Sequence, residues 1–326
     1  MLLDGNDPAA IDRAAALLAD GDLVAFATET VYGLGARADD DAAVAKIFAA
    51  KGRPADHPLI VHVADAAGAE RFAGELTPLA TRLMAAFWPG PLTIIVPRRA
   101  HVGAAAAGGQ ATIGLRSPSH PVARALLQAV HERGVPGVAA PSANRFGRIS
   151  PTLASHVVDE FGPGLAVLDG GACPVGIESS IVDCSRGHPV LLRPGQLARE
   201  RIEAAAGEPL RDPDAGAPRA SGTLEAHYAP RAKLRLMPGP MLNTALQLLG
   251  TEPLKLAVYS RSVPLNVAPG VRHRRMPARP DGAAQELFSV LRELDAEGAQ
   301  LIWVEEPPAD REWDGVRDRL RRAAAS

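Results

Sequence analysis

Residues 28–62 read TETVYGLGARADDDAAVAKIFAAKGRPADHPLIVH, and this stretch decides the expected fold. The segment before it, residues 23–27, is short and continuously apolar, which indicates a buried strand. Residues 41–50, DAAVAKIFAA, have a helical pattern with acidic residues in the first turn. Residues 59–63 are a second apolar run of strand length. The order strand, helix, strand predicts an α/β fold.

The strand at residues 23–27 leads directly into TETVYGLG, so Thr28 and Thr30 are expected at its carboxyl end. Ligands of open α/β sheets gather at such strand ends. Gly33 and Gly35 in the same motif are predicted to lie in a turn. The sequence therefore predicts a polar site beside a glycine turn.

The alternation of strands and helices continues through most of the chain, but hairpin-like and two-strand segments interrupt it, which favours a mixed sheet. A first domain is predicted over residues 1–206. Residues 207–232 are dense in Pro, Gly, Ala and charge and predict a linker. Residues 233–326 predict a smaller α/β domain, with one of its strands at residues 254–259.

Composition limits the possible functions. The chain has 326 residues, 47% of them hydrophobic and 22% charged, which suits two folded domains. A formal net charge of −2 provides no global field for a polyanion or a membrane surface, so a phosphate site must be local. No signal-peptide pattern and no apolar run of about 18 residues occurs, so a soluble, cytoplasmic protein without membrane contact is expected.

Several standard motifs are missing from the sequence. The two cysteines, Cys173 and Cys184, lack CxxC spacing, and no histidine cluster has metal-ligand spacing, so no protein metal site is predicted. The nucleotide motifs GxxxxGK[ST] and GxGxxG and the hydrolase motif GxSxG are also missing.

Polar side chains recur instead at the ends of predicted strands and helices. Cations and hydroxyls dominate this set, which describes an anion site: Thr28, Thr30, Lys51, Arg53, His62, Arg116, Ser117, Ser142, Asn144, Ser150, Ser179, Ser180 and Arg193. Simpler interpretations exist for single members. Lys51 and Arg53 could be a solvated helix end, His62 a hydrogen-bonded core histidine, and Ser142 with Asn144 turn formers.

Seven motifs in order resemble those of the YrdC/Sua5 family, the L-threonylcarbamoyladenylate synthases. They are TETVYGLG, KGRP followed by PLIVH, WPGPLT, LRSPSHP, APSAN followed by SPT, GIESSIVD and LRPG. HYAP at residues 227–230, followed by a smaller α/β unit, resembles the longer Sua5 type with its C-terminal domain. The resemblance covers residues 7–232 by motif and the remainder by architecture.

The resemblance implies a large domain with a twisted, mostly open mixed sheet and a Rossmann-like C-terminal domain. It also implies a reaction in which L-threonine, bicarbonate or CO2 and ATP give threonylcarbamoyl-AMP and diphosphate. Mg2+ would accompany ATP. The product would pass to a separate transferase system for the t6A modification of tRNA, for which contact with tRNA is possible but not required.

Site residues follow from the resemblance by position. Thr30, His62, Arg116, Ser179 and Ser180 would bind L-threonine, with Arg116 on its carboxylate. Lys51 and Arg53 would be catalytic and would face the ATP phosphates. The nucleotide would be bound by Lys51, Arg53, His57, Ser142, Asn144, Ser150, Arg193 and Tyr228, and Tyr228 would close over the site from the linker.

The sequence departs from the family pattern at two positions. His57 stands where the family commonly has Asn, so a contact expected from an amide would come from imidazole or be absent. Ser221 stands where the linker usually has Pro. An RNA-binding module without adenylation activity remains an alternative of a different class, although aromatic residues form only 4% of the chain. The carbamoyl-adenylate chemistry of hydrogenase maturation is a weaker alternative, because its zinc-finger cysteines are missing.

Overall fold

The computed structural model describes residues 1–249, 255–264 and 271–326. The chain forms two compact units. The first comprises Met1–Phe146 and Ser150–Thr223, and the second comprises Leu224–Ser326 together with Gly147–Ile149. Residues 207–223, the first part of the predicted linker, thus belong to the first unit.

The first unit contains ten strands and seven helices in its described residues. In chain order these are β1 (Leu2–Asp4), α1 (Pro8–Ala19), β2 (Val24–Phe26), β3 (Gly33–Arg37), α2 (Asp41–Lys51), β4 (Ile60–His62), α3 (Ala66–Glu70), α4 (Pro78–Phe87), β5 (Leu92–Pro97), β6 (Thr112–Arg116), α5 (Pro121–Glu132), β7 (Val138–Ala139), α6 (Ala154–Phe161), β8 (Ala166–Asp169), β9 (Ser180–Asp183), β10 (Val190–Arg193) and α7 (Arg199–Ala206).

All ten strands join one sheet in the order β1-β8-β2-β3-β7-β4-β6-β5-β9-β10. The sheet contains both parallel neighbours, such as β4 and β6, and antiparallel neighbours, such as β5 and β6. The mixed α/β sheet predicted from the sequence is therefore confirmed. Because β5 is antiparallel to β6 and parallel to β9, the beginnings of β5 and β9 lie at the sheet edge where β6 ends.

Gly33 and Gly35 lie in strand β3, so their predicted place in a turn is wrong. A Cβ on Gly33 would lie 3.1 Å from the Ala140 Cβ, and one on Gly35 would lie 2.8 Å from a Val138 methyl group. These glycines allow close packing of β3 against its surroundings and supply no turn flexibility.

Helix α2 begins and ends with ordinary capping. The Asp40 carboxylate accepts hydrogen bonds from the amides of Ala42 and Ala43, and Gly52 ends the helix with φ of 63°. Val44 and Ile47 face the core of the first unit. The helix predicted here is confirmed, and it fixes the place of Lys51 in its last turn.

Within its described residues, the second unit contains a four-stranded parallel sheet in the order β11-β14-β12-β13. Its elements are β11 (Lys233–Met237), α8 (Gly239–Gln247), β12 (Leu256–Ser260), β13 (Arg272–Arg275), α9 (Pro280–Ala296), β14 (Leu301–Glu305), a short 3-10 helix (Arg311–Trp313) and α10 (Asp314–Ala324). The start of the predicted strand at Leu254 lies outside the described residues. β13 escapes sequence prediction because its residues, RHRR, have no apolar alternation.

In the parts of the chain just described, no helix is both long enough and apolar enough to cross a bilayer.

Candidate functional site

His62 and Arg116 are the last residues of two adjacent parallel strands, β4 and β6, and they pair in register. Both side chains are buried. The strand ends predicted to carry this part of the site therefore do lie side by side, as parallel pairing requires.

Arg116 is held by three contacts within the first unit. Nη1 donates to the Thr30 hydroxyl at 2.9 Å, and Nε donates to the carbonyl of Gly90 at 3.3 Å. Nη2 lies 2.7 Å from Glu29 Oε1 in a buried ion pair. Thr30 and Arg116 are thus brought together as the predicted threonine side of the site requires.

Glu29 was not among the predicted site residues, although it stands between Thr28 and Thr30. Burial alone would raise the pKa of its carboxyl group, but the charge and hydrogen-bonding groups of Arg116, together with the backbone amides of Glu29 and Ser119, outweigh burial, so the pKa lies below its ordinary value. Its contact with Arg116 is close but poorly directed, and among the described residues no hydrogen bond of normal geometry reaches either carboxylate oxygen. The site therefore contains a buried, ionised acid as well as cations.

His62 is neutral in the folded protein. Burial, followed by the charge of Arg116, lowers the pKa of the imidazole to about 3, and Glu29 opposes this shift only in part. Nδ1 has no hydrogen-bond partner within the described residues. Nδ1 is therefore the atom of His62 that can serve a ligand, and the choice between a core histidine and a ligand stays a prediction.

Ser179 and Arg193 form a second cluster at the same sheet edge as the end of β6. Arg193 donates to the Ser179 carbonyl through Nε at 3.1 Å and Nη2 at 2.9 Å. The hydroxyl of Ser179 lies 2.8 Å from that of Thr93, a buried residue that the sequence reasoning missed because it lies inside strand β5. Ser180 begins β9, and its hydroxyl has no partner among the described residues.

Lys51 reaches the loop that carries Ser142 and Asn144. Its Nζ donates to the Ser142 carbonyl at 2.5 Å and also to the Asn144 carbonyl. The side chain is buried, so the interpretation as a solvated helix end is wrong. Burial, followed by the charge of Arg53, lowers the pKa of Lys51 well below its ordinary value. Lys51 therefore organises this loop, and its predicted catalytic role stays a prediction.

Arg53 and His57 lie against one aromatic ring. The Arg53 guanidinium is 5.8 Å from the centre of the Phe146 ring, and the His57 ring is 5.3 Å from it. Arg53 is buried and donates to the carbonyl of Pro58 at 3.0 Å. Burial, followed by the Arg53 charge, lowers the pKa of His57, so its imidazole is neutral at pH 7.

The two remaining predicted nucleotide ligands lie in different units. Ser150, in the first unit, donates to the carboxylate of Glu178, a buried acid that sequence reasoning also missed. Tyr228 belongs to the second unit. The centre of its ring lies 5.4 Å from the centre of the Phe288 ring and 5.4 Å from Cζ of Arg319. Their contacts with a nucleotide stay predictions.

Within residues 1–249, 255–264 and 271–326, no group of three or more His, Cys, Asp or Glu side chains could hold a metal ion. Cys173 and Cys184 are buried free thiols. A divalent ion that enters with a nucleotide would take its oxygen ligands largely from phosphate and water.

Two family models and several known proteins match the sequence of this chain. A Sua5/YciO/YrdC family model described as "Telomere recombination" matches residues 16–195, and a model described as "Threonylcarbamoyl-AMP synthase, C-terminal domain" matches residues 197–325. The chain is 39% identical to the threonylcarbamoyl-AMP synthase of Bacillus subtilis, over 99% of this chain and 94% of that protein. It is 37% identical to the synthase of Pyrococcus abyssi, over 95% and 93%.

Solved structures give the same result. The crystal structure of P. abyssi Sua5 complexed with L-threonine matches with a TM-score of 0.90 and 34% identity, over 99% of this chain and 97% of that one. The structure of E. coli YciO, 21% identical, matches 62% of this chain with a TM-score of 0.52 and shares its fold. The family expected from the seven motifs is confirmed: the chain belongs to the Sua5/YciO/YrdC family and carries the C-terminal domain of the Sua5 type.

Proposed function

We infer that this protein is a threonylcarbamoyl-AMP synthase, an enzyme of the nucleotidyltransferase type. It takes L-threonine and ATP as substrates, and bicarbonate or CO2 supplies the carbamoyl carbon. The activity is supported by sequence identities of 39% and 37%, over nearly the full chain, to synthases of a bacterium and an archaeon. The observation that carries the amino-acid site is the contact of Thr30 with Arg116 beside His62, three residues expected around threonine.

The amino acid occupies the cluster at the ends of β4 and β6. Arg116 pairs with the threonine carboxylate, since a guanidinium binds a carboxylate through two parallel N–H donors. Thr30 and the neutral His62 offer hydrogen bonds to the other polar groups of the threonine substrate. Ser179 and Ser180, at the start of β9, hold the threonylcarbamoyl group.

The reaction joins two steps. The threonine ammonium group first loses a proton to solvent. The free amine then adds to CO2 and releases a second proton to give a carbamate, and a carbamate oxygen attacks the α-phosphorus of ATP while diphosphate leaves. Because negative charge gathers on phosphate oxygens throughout, positioned cations and hydrogen-bond donors contribute more than a dedicated base. Arg53 and Lys51 serve the phosphates. His57, Ser142, Asn144, Ser150 and Arg193 hold the nucleotide.

Mg2+ would accompany ATP and would neutralise part of the triphosphate charge. Arg53 and Lys51 would provide the protein's own positive charges for the phosphates. We also propose that the product serves a separate transferase system that installs t6A in tRNA, and that the enzyme works in the cytoplasm.

Product analysis tests this function. The protein is incubated with Mg2+, ATP, L-threonine and bicarbonate, each omitted in turn, and threonylcarbamoyl-AMP and diphosphate are measured by mass and by a coupled assay. Diphosphate release that requires both threonine and bicarbonate is expected. Arg133→Lys, an exchange at a surface residue ion-paired with Asp12, is a matched control and should keep full activity. Salt-dependent binding of tRNA without ATP consumption would favour the RNA-binding alternative instead.

A further inference from the structure

Glu29 is buried at the centre of the amino-acid cluster, and its carboxylate is ion-paired with Arg116 without a hydrogen bond of normal geometry. Its side chain is 6% exposed and lies 2.7 Å from Arg116. Within the described residues, neither oxygen receives a hydrogen bond of normal geometry. Buried carboxylates ordinarily have their acceptor positions filled, because an unfilled one costs free energy. A purely structural counter-ion for Arg116 would not leave them open.

Other buried groups around Glu29 are open as well. Within the same part of the chain, His62 Nδ1 and the Ser180 hydroxyl lack hydrogen-bond partners. The Ser180 amide donates to the carbonyl of Pro91, and Arg116 donates to the carbonyl of the preceding residue, Gly90. The cluster thus offers a cation, an anion and neutral polar groups in one place.

This combination of charges matches a zwitterion. In an α-amino acid the ammonium nitrogen and the carboxylate are attached to the same carbon, so their receptors must adjoin, as Glu29 and Arg116 do. A site built for a carboxylate alone would gain from the absence of Glu29, because a buried acid next to the arginine weakens its attraction for a second anion. The acid is therefore explained by a positive group on the ligand.

We propose that Glu29 binds the α-ammonium group of the amino-acid substrate while Arg116 binds its carboxylate. This inference rests on the proposed function, because it assumes that L-threonine is the amino-acid substrate. Glu29 would select a ligand with a free amino group and hold its nitrogen where the carbamate forms.

Calorimetric binding to the full-length protein tests the proposal with two probes. The first is L-threonine, and the second is its deamino analogue, a β-hydroxy acid that keeps the carboxylate and the hydroxyl group. Wild-type protein should bind threonine at least about tenfold more tightly than the analogue, the range expected for a hydrogen bond to a charged group. Glu29→Gln should weaken threonine binding by about tenfold or more and change binding of the analogue by less than about threefold.

The analogue separates recognition of the ammonium group from positioning of Arg116. If Glu29 only orients the arginine, Glu29→Gln will weaken both ligands equally, and the proposal is overturned. Glu29→Asp, which keeps the charge, should recover part of the threonine affinity only. Unfolding midpoints show whether each variant is folded.

Wild-type protein alone gives a second test should Glu29→Gln fail to fold. Equal affinity for threonine and its deamino analogue would overturn the assignment without any variant. A wild-type protein that binds neither threonine nor the analogue would instead contradict the proposed function, so the two failures are distinguishable.

Discussion

His62 and Arg116 occupy paired positions on two parallel strands, so a cationic guanidinium lies beside an imidazole that burial already keeps neutral. This arrangement has a consequence for stability at low pH. In the unfolded chain the imidazole takes up a proton near pH 6.5, whereas the folded protein keeps it neutral down to about pH 3. The unfolded state binds more protons in this window, so the free energy of unfolding falls as the pH falls from 6.5 towards 3.

The His62→Gln variant should lack this contribution. Between pH 7.5 and pH 5, wild type should lose about 2 kcal/mol more stability than the variant. Urea unfolding at both pH values measures the difference, and other titrating groups cancel because both proteins share them. A stability difference that does not change with pH would show that His62 has the same pKa in the folded and unfolded states.

Arg116 should control the threonine requirement more than the ATP requirement. Arg116→Lys keeps a positive charge beside Glu29 but loses the two-donor fork, so KM for threonine should rise about tenfold or more while KM for ATP changes by less than about threefold. Arg116→Ala also leaves the buried Glu29 carboxylate without its ion-pair partner, which should lower the free energy of unfolding by about 3–5 kcal/mol. Initial rates with each substrate varied in turn measure the two constants. An equal rise in both would refute the carboxylate assignment.

Lys51 should matter for both folding and ATP use. Lys51→Ala leaves the carbonyls of Ser142 and Asn144 without their ammonium donor, which should lower the free energy of unfolding by about 2–4 kcal/mol. KM for ATP should rise because the loop that carries the predicted nucleotide contacts is released. Urea unfolding and ATP kinetics measure the two effects.

Lys46→Ala is the matched control for Lys51→Ala, since Lys46 lies on the same helix with an exposed ion pair to Asp22. It should change stability by less than about 1 kcal/mol and leave ATP kinetics alone. If Lys51→Ala loses activity but keeps the stability of wild type, the contacts of Lys51 with the Ser142 and Asn144 carbonyls do not stabilise the fold.

The sequence predicted the parts of the site that depend on local pattern. Apolar runs located β4 and β6, and parallel pairing then brought His62 and Arg116 together. The neighbouring sequence could not predict why β3 contains glycines, because the reason is their close packing against Val138 and Ala140, about a hundred residues away in the chain. Glu29 was missed for the same reason: an acid beside two threonines becomes informative only when its neighbour Arg116 is known.

His57 tests whether imidazole can replace the amide that the family commonly has at this position. The ring is neutral at pH 7 because burial, followed by the charge of Arg53, lowers its pKa, so it resembles an amide in charge and in hydrogen-bonding capacity. His57→Asn should therefore change KM for ATP by less than about threefold, whereas His57→Ala should raise it about fivefold or more. KM for threonine should stay constant in both variants. Kinetics at pH 7.5 with either substrate varied give these values, and unchanged ATP kinetics in His57→Ala would remove His57 from the nucleotide site.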